Sequence, residues 1–228
     1  MERVADGVYQ VKKGFRAFLI DGDEGLTLID TGLPGRGEAF VAGIESIGRS
    51  VADIRAMVLT HSHVDHSGSA AWLKEKSGAE LWCPELDAPA VRGEQANPTP
   101  PVLDRTPLQV LKPIFGLLPK APPSEVDFEI GLSGGALPED LKAVATPGHT
   151  PGHTSYLLNR AGGILFIGDA AAHKRGVPKR GFFNRPTPEI DGSIRELGKL
   201  EFDIACFGHS DPIVGNASNA FKAFAAKL

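Results

Sequence analysis

The stretch Thr60-His61-Ser62-His63-Val64-Asp65-His66 limits what this chain can fold into more than any other feature. Three imidazoles and a carboxylate fall within six residues, directly after the apolar run Ile54-Arg55-Ala56-Met57-Val58-Leu59. Packing gives no reason for alternating imidazoles at a strand end, whereas holding a cation does. Imidazole and carboxylate suit zinc, and also iron or manganese, and a cluster without thiolate argues against a closed structural zinc knot. The other histidines point the same way. His149 and His153 lie in Pro147-Gly148-His149-Thr150-Pro151-Gly152-His153, His209 follows Phe207-Gly208, and His173 sits four residues past Asp169. These are all seven histidines of the chain.

Composition narrows the class. At 228 residues the chain fits one large α/β domain and can bury a sizeable core. With 42% hydrophobic and 23% charged residues it reads as an ordinary globular protein, and its net charge of −4 gives a general nucleic-acid binder no footing. The expected partner is a small-molecule substrate, with neither nucleic acid nor membrane. Residues 1–13 lack the apolar core of a secretory leader, and no window approaches a membrane span. Cys83 and Cys206 stand far apart, outside any CxxC pair, which reads as buried free thiols. A cytoplasmic location is the expectation from these features.

Periodicity predicts strands over 8–11, 17–20, 26–30, 54–59, 142–145, 154–158, 163–167 and 202–207. Helices are predicted over 37–48, 67–77, 188–200 and 216–228. Ser67 or Ser69 is expected to cap the second helix. Residues 170–188 read as a loop carrying a basic run. Between about 84 and 127 many prolines alternate with apolar residues, and this is read as a lid-like insertion beside the site, with a short helix from Pro107 to Leu118.

The chemistry follows from the donors. Hydrolysis at neutral pH needs hydroxide, and paired cations ~3.5–4 Å apart lower the pKa of a shared water and polarise the scissile carbonyl. Such a pair needs a carboxylate able to bridge it. His61, His63 and His149 could make one site, and Asp65, His66 and His209 the second. Asp169 ends the apolar run Phe166-Ile167-Gly168 and is the natural bridge. The downstream donors follow in order, 83, 20 and 40 residues apart.

These motifs resemble the metallo-β-lactamase fold superfamily over nearly the whole chain. Thr27-Leu28-Ile29-Asp30-Thr31-Gly32 resembles the strand and turn before the family's first helix, and the 61–66 block its signature. Thr146 to His153, Gly168-Asp169 and Gly208-His209 resemble the remaining motifs. The resemblance implies an αβ/βα four-layer sandwich, two mixed β-sheets between helices, with a dinuclear site at the edge between the sheets. It implies the ligand sets just given, with Asp169 shared and zinc the expected metal. His153 is not the family's usual ligand and is read as steadying a ligand loop; Asp30 is read as supporting the histidine-bearing loops. His173 matches no motif.

The implied reaction is attack by a metal-bridging hydroxide on a carboxyl ester, thioester or lactone, with Asp65 orienting the nucleophile and passing a proton to the leaving group. Ser62 and Ser67 are read as loop and cap residues. The apolar 107–118 stretch, including Phe115, and the run from His173 to Arg185, including Phe182 and Phe183, are candidates for contacting substrate. Two rival readings remain at this point. One is a mononuclear iron dioxygenase of the persulfide type. The other is a metal-binding module without catalysis.

Overall fold

The computed structural model describes residues 1–12, 15–104, 120–131 and 134–228. The chain opens with four antiparallel strands, β1 (Glu2–Ala5), β2 (Val8–Lys12), β3 (Arg16–Gly22) and β4 (Gly25–Ile29). Helix α1 (Gly37–Glu45) crosses to β5 (Ile54–Val58), which runs parallel to β4. Two short helices follow, α2 (Val64–Ser67) and α3 (Ala70–Ser77), then β6 (Glu80–Pro84), α4 (Ala88–Val91) and β7 (Phe128–Ile130). These seven strands form one mixed sheet in sequence order.

The second half repeats the plan. Strands β8 (Lys142–Ala145), β9 (Thr154–Leu158) and β10 (Ile164–Phe166) form an antiparallel meander. A hairpin of β11 (Ala171–Lys174) and β12 (Val177–Arg180) precedes α5 (Pro188–Leu197). The chain ends with β13 (Ile204–Cys206), β14 (Ile213–Val214) and α6 (Ala217–Ala225). Strand β13 lies parallel to β10, and the second mixed sheet has the order β14-β13-β10-β9-β8.

The layers follow from side-chain alternation along strands buried on both faces. In β3, Phe18 and Ile20 enter the core between the sheets, while Ala17 and Leu19 face α1 and α3. In β10, Ile164 and Phe166 meet them across that core, whereas Leu165 packs outward against Ile190, Ile194 and Phe221 of α5 and α6. Phe18 and Phe166 touch across the middle layer, ring centroids 5.4 Å apart. Three apolar layers thus separate helix, sheet, sheet and helix. This is the αβ/βα sandwich.

Three sequence expectations need correction. The helix expected from Ser67 begins at Val64, so Asp65 and His66 lie on α2, and Gly68-Ser69 interrupt the chain before α3. Neither serine caps an amide: Ser67 Oγ donates to the carbonyls of Ser62 and His63, and Ser69 Oγ to that of Leu33. The expected loop over 170–188 contains the β11–β12 hairpin. Its turn is Arg175-Gly176, both at positive φ, as a tight hairpin demands. Strands β1, β7 and β14 are too short, or too polar in pattern, to have been read. The expected helix Pro107–Leu118 lies outside the described residues.

Candidate metal centre

The loops that matter leave the same edge of the sandwich. Residues 59–63 follow β5, Gly168-Asp169 follow β10 and His209 follows β13, while His149 lies between β8 and β9. They are stitched by main-chain bonds. Thr154 N donates to Thr60 O, Thr31 N to His66 O and Gly208 N to Gly168 O. Residues as far apart in sequence as His61 and His209 therefore close into one cluster. His61, His63 and His149 present ring nitrogens within 4.8 Å of one another; a carboxylate oxygen of Asp65 and ring nitrogens of His66 and His209 lie equally close, and a third group joins His61 and His66 to Asp169.

Asp169 stands between the two sets. Its Oδ2 is 3.4 Å from His149 Nε2 and 3.1 Å from His209 Nε2, and its Oδ1 is 3.5 Å from His66 Nε2. Within the first set, His63 Nδ1 is 3.1 Å from His61 Nε2 and 2.9 Å from His149 Nε2. Nitrogens sharing one tetrahedral zinc at the usual bond length stand roughly 3.3 Å apart. The buried atoms His66 Nε2, His209 Nε2 and Asp169 Oδ1 have no aligned hydrogen-bond partner among the described residues. His209 Nε2 lies 3.2 Å from Asp65 Oδ2, close enough for attraction but not aligned as a hydrogen bond. Inward-facing donors of this kind, left without partners, fit a pair of cations.

The opposite ring nitrogens are held by the protein, as ligating imidazoles require. His66 Nδ1 donates to Asp30 Oδ2 at 2.8 Å, and His61 Nδ1 to Thr60 Oγ1 at 3.0 Å, whose hydroxyl in turn donates to Asp30. Asp30 adopts a left-handed backbone, φ 62°, which an aspartate tolerates better than most residues. It also accepts the amide of Thr60. His63 Nε2 donates to Pro98 O at 2.8 Å. His149 Nδ1 donates to Asn184 Oδ1 at 2.7 Å, and Asn184 Nδ2 donates to the carbonyls of Asp169 and Ala170.

Electrostatics divide the cluster. Burial holds His61, His63 and His149 below the ordinary imidazole value, His149 at about 4, so all three are neutral at pH 7. Burial also opposes charge on His66, but Asp30, Asp169 and Asp65 outweigh it and raise the ring to about 9. Burial also opposes charge on His209, but its close contacts with the Asp169 and Asp65 carboxylates outweigh it and raise the ring to about 10. Desolvation works against the Asp65 carboxylate, yet His66 and His209 bring it to about 2.

The remaining sequence candidates take separate places. His153 is fully buried; its Nε2 accepts the amide of Asp169 at 3.0 Å and its Nδ1 bonds Thr146 Oγ1 at 2.8 Å. It therefore fixes the backbone of Asp169. His173 uses both ring nitrogens on main chain, donating to Asp211 O and accepting from Gly176 N, and so braces the loop after His209. Phe183 meets the His209 ring edge-on at 6.2 Å, while Phe182 is half exposed beneath Lys179. Phe115 lies outside the described residues. Asn184 and Pro98 were missed by the sequence reading. Both sit in segments read as lying beside the site, but nothing in the sequence singles out either residue within them.

The metallo-beta-lactamase superfamily model matches residues 16–209, which span every cluster residue. This chain belongs to that superfamily. The uncharacterized protein YobT of Bacillus subtilis (strain 168) is 30% identical over 72% of this chain, and the match spans 65% of its own length. The probable metallo-hydrolase YflN of the same organism is 28% identical, covering 82% of this chain and 76% of its own. Hydroxyacylglutathione hydrolase GloC of Haemophilus influenzae is 28% identical, with 81% and 79% covered. In fold, the chain resembles BJP-1, a subclass B3 metallo-beta-lactamase of Bradyrhizobium japonicum, at TM-score 0.71 and 21% identity over 99% of this chain and 89% of that one. Within this superfamily frame Asn184 has a testable weight. Replacing it with alanine frees the His149 ring and should cost about 10–100-fold in zinc affinity, read by competition against a chromophoric chelator.

Proposed function

We propose that this protein is a dinuclear metal-dependent hydrolase acting on a carboxyl ester, thioester or lactone. The observation that carries the reading is Asp169, whose two oxygens lie between the His61/His63/His149 set and the Asp65/His66/His209 set. Three imidazoles alone would serve one ion. A buried carboxylate facing both sets suits two.

His61, His63 and His149 would hold one cation, Asp65, His66 and His209 the other, with Asp169 common to both; zinc is the expected metal. Two such cations supply a water of lowered pKa and Lewis-acid polarisation of a substrate carbonyl. The chain's own groups do the rest. Asp65 is ionised throughout the neutral range and a quarter exposed at the open side of the cluster, where it can take a proton from water and pass it to the leaving group. Asp30 and Asn184 keep His66 and His149 from turning away. Phe183, edge-on to His209, borders the opening with an apolar face suited to the acyl or leaving-group side of a substrate. The likeness to a hydroxyacylglutathione hydrolase supports the thioester arm of this reading.

Metal loading should be visible as proton release. In the metal-free protein His66 and His209 titrate at about 9 and 10, and each must lose its proton to bind a cation. Their ion pairs with Asp30, Asp65 and Asp169 stabilise the metal-free fold below the ordinary imidazole range and fade as pH rises through 9 to 10. Zinc added at pH 7.5 should therefore release about two protons per chain. Titration calorimetry in two buffers of different ionisation enthalpy measures this, and no release would contradict the assignment.

The reading as a whole is tested by metal analysis with a panel of thioesters, aryl esters, lactones and β-lactams on the same sample. Two metals per chain and turnover of an ester-type substrate, both abolished by a chelator, are the expected results. A single iron per chain, or full activity after stripping, would overturn it.

A further inference from the structure

Asp87 has no solvent exposure, yet no part of the proposed chemistry uses it. It precedes α4, at the start of the Pro-rich excursion, and its carboxylate faces main chain. Oδ2 accepts the amide of Ser62 at 2.8 Å, and Oδ1 accepts the amide of Gly152 at 2.8 Å. Those two amides belong to the two loops that carry the three-imidazole set. Ser62 stands between His61 and His63, and Gly152 between His149 and His153. One carboxylate therefore ties together loops that come from opposite sheets.

A second observation shows that this approach is built into the sequence. A Cβ on Gly152 would fall 2.6 Å from Asp87 Oδ1 and 2.9 Å from Asp87 N. Gly152 does not have a positive φ, so glycine is needed there for space and not for conformation. The loop has given up a side chain so that its amide can reach the carboxylate. The two carboxylate oxygens thus satisfy one main-chain donor from each loop. The same excursion also supplies Pro98 O, which holds His63 Nε2.

We infer that Asp87 is a positioning residue that sets the span between His61/His63 and His149, so that Asp87 and Pro98 together brace the three-imidazole site. The inference rests on the hydrolase reading only in taking those imidazoles as metal ligands. Asp87 touches neither substrate nor metal in this role.

The test compares the parent with Asp87→Asn, Asp87→Ala and Gly152→Ala. Asparagine keeps one acceptor but turns an NH2 toward the other amide; alanine removes both acceptors; Gly152→Ala pushes on the intact carboxylate from the opposite side. Zinc is titrated into metal-free protein against a chromophoric chelator, and the visible spectrum of the cobalt(II) form is recorded. Melting of the metal-free protein is followed in parallel. Asp87→Asn should melt close to the parent, bind its tighter zinc about 10–100-fold more weakly and show an altered cobalt spectrum. The loss should be larger for Asp87→Ala, and Gly152→Ala should resemble Asp87→Asn. A merely structural Asp87 would lower the melting point and leave zinc affinity and cobalt spectrum as in the parent, and that result overturns the inference. If Asp87→Ala does not fold, Asp87→Asn and Gly152→Ala decide. A parent that binds no metal would overturn the hydrolase reading and this inference together; parent-like variants would overturn this inference alone.

Discussion

Replacing Asp169 with asparagine should lower kcat/KM by about a thousandfold or more, the scale expected when a group acting directly at the reacting centre is removed, and equal to about 4 kcal/mol. The side chain keeps its shape and loses its charge. Asp169 is surrounded by His66, His209 and His149, and although burial opposes its charge, these rings hold its carboxyl well below the ordinary range. Among the described residues, its carboxylate is the one that contacts rings of both ligand sets. Its amide would leave the three imidazoles able to hold one ion, while the Asp65/His66/His209 set would lose its link to the first. Metal analysis should accordingly fall from two equivalents toward one, with the fold retained by circular dichroism. An Asp169→Asn protein that keeps both metals and parental turnover would show that the two sets do not share this residue.

How far the site could be read in advance depends on how its residues signal themselves. His61, His63, Asp65 and His66 were legible because four donors in six positions have no packing explanation. Asp169 and His209 were legible because each ends an apolar strand, where a polar side chain is otherwise out of place. The sandwich followed from the family resemblance. The supporting residues were not legible. Asn184 lies in a run noticed for its charges and phenylalanines, and only the fold brings it to His149. Asp87 looks like a helix-start residue, and its bonds to Ser62 and Gly152 arise from loops 25 and 65 residues away. Helix α2 was misplaced because it starts from His63, whose carbonyl accepts the amides of His66 and Ser67 with no capping side chain to mark the start. Local pattern reports what a residue does to its own segment; these residues act on someone else's.

Substituting Gly208 with alanine should cost about a hundredfold to a thousandfold in kcat/KM while leaving the fold in place. Gly208 does not have a positive φ, so alanine meets no backbone strain. The obstacle is space at the site itself. A Cβ there would stand 2.1 Å from Asp169 Oδ1 and 2.8 Å from His66 Cε1, and both side chains belong to the cluster. Either the carboxylate rotates away from one ligand set, or the 207–209 segment shifts and carries His209 with it. Overpacking of this kind costs about 1–3 kcal/mol, equivalent to a melting-point fall of roughly 2–12 °C in a chain of this size. The neighbouring Gly168 offers the contrast. It sits at φ 59°, and a Cβ there would press on His153 Nε2 at 2.7 Å, so alanine at 168 adds backbone strain and should cost more stability. Gly208→Ala therefore separates the site from the fold. Zinc stoichiometry and kcat/KM should drop together with only a modest change in melting, and turnover within about threefold of the parent, a difference under 1 kcal/mol, would mean that Asp169 and His66 are not needed where they stand.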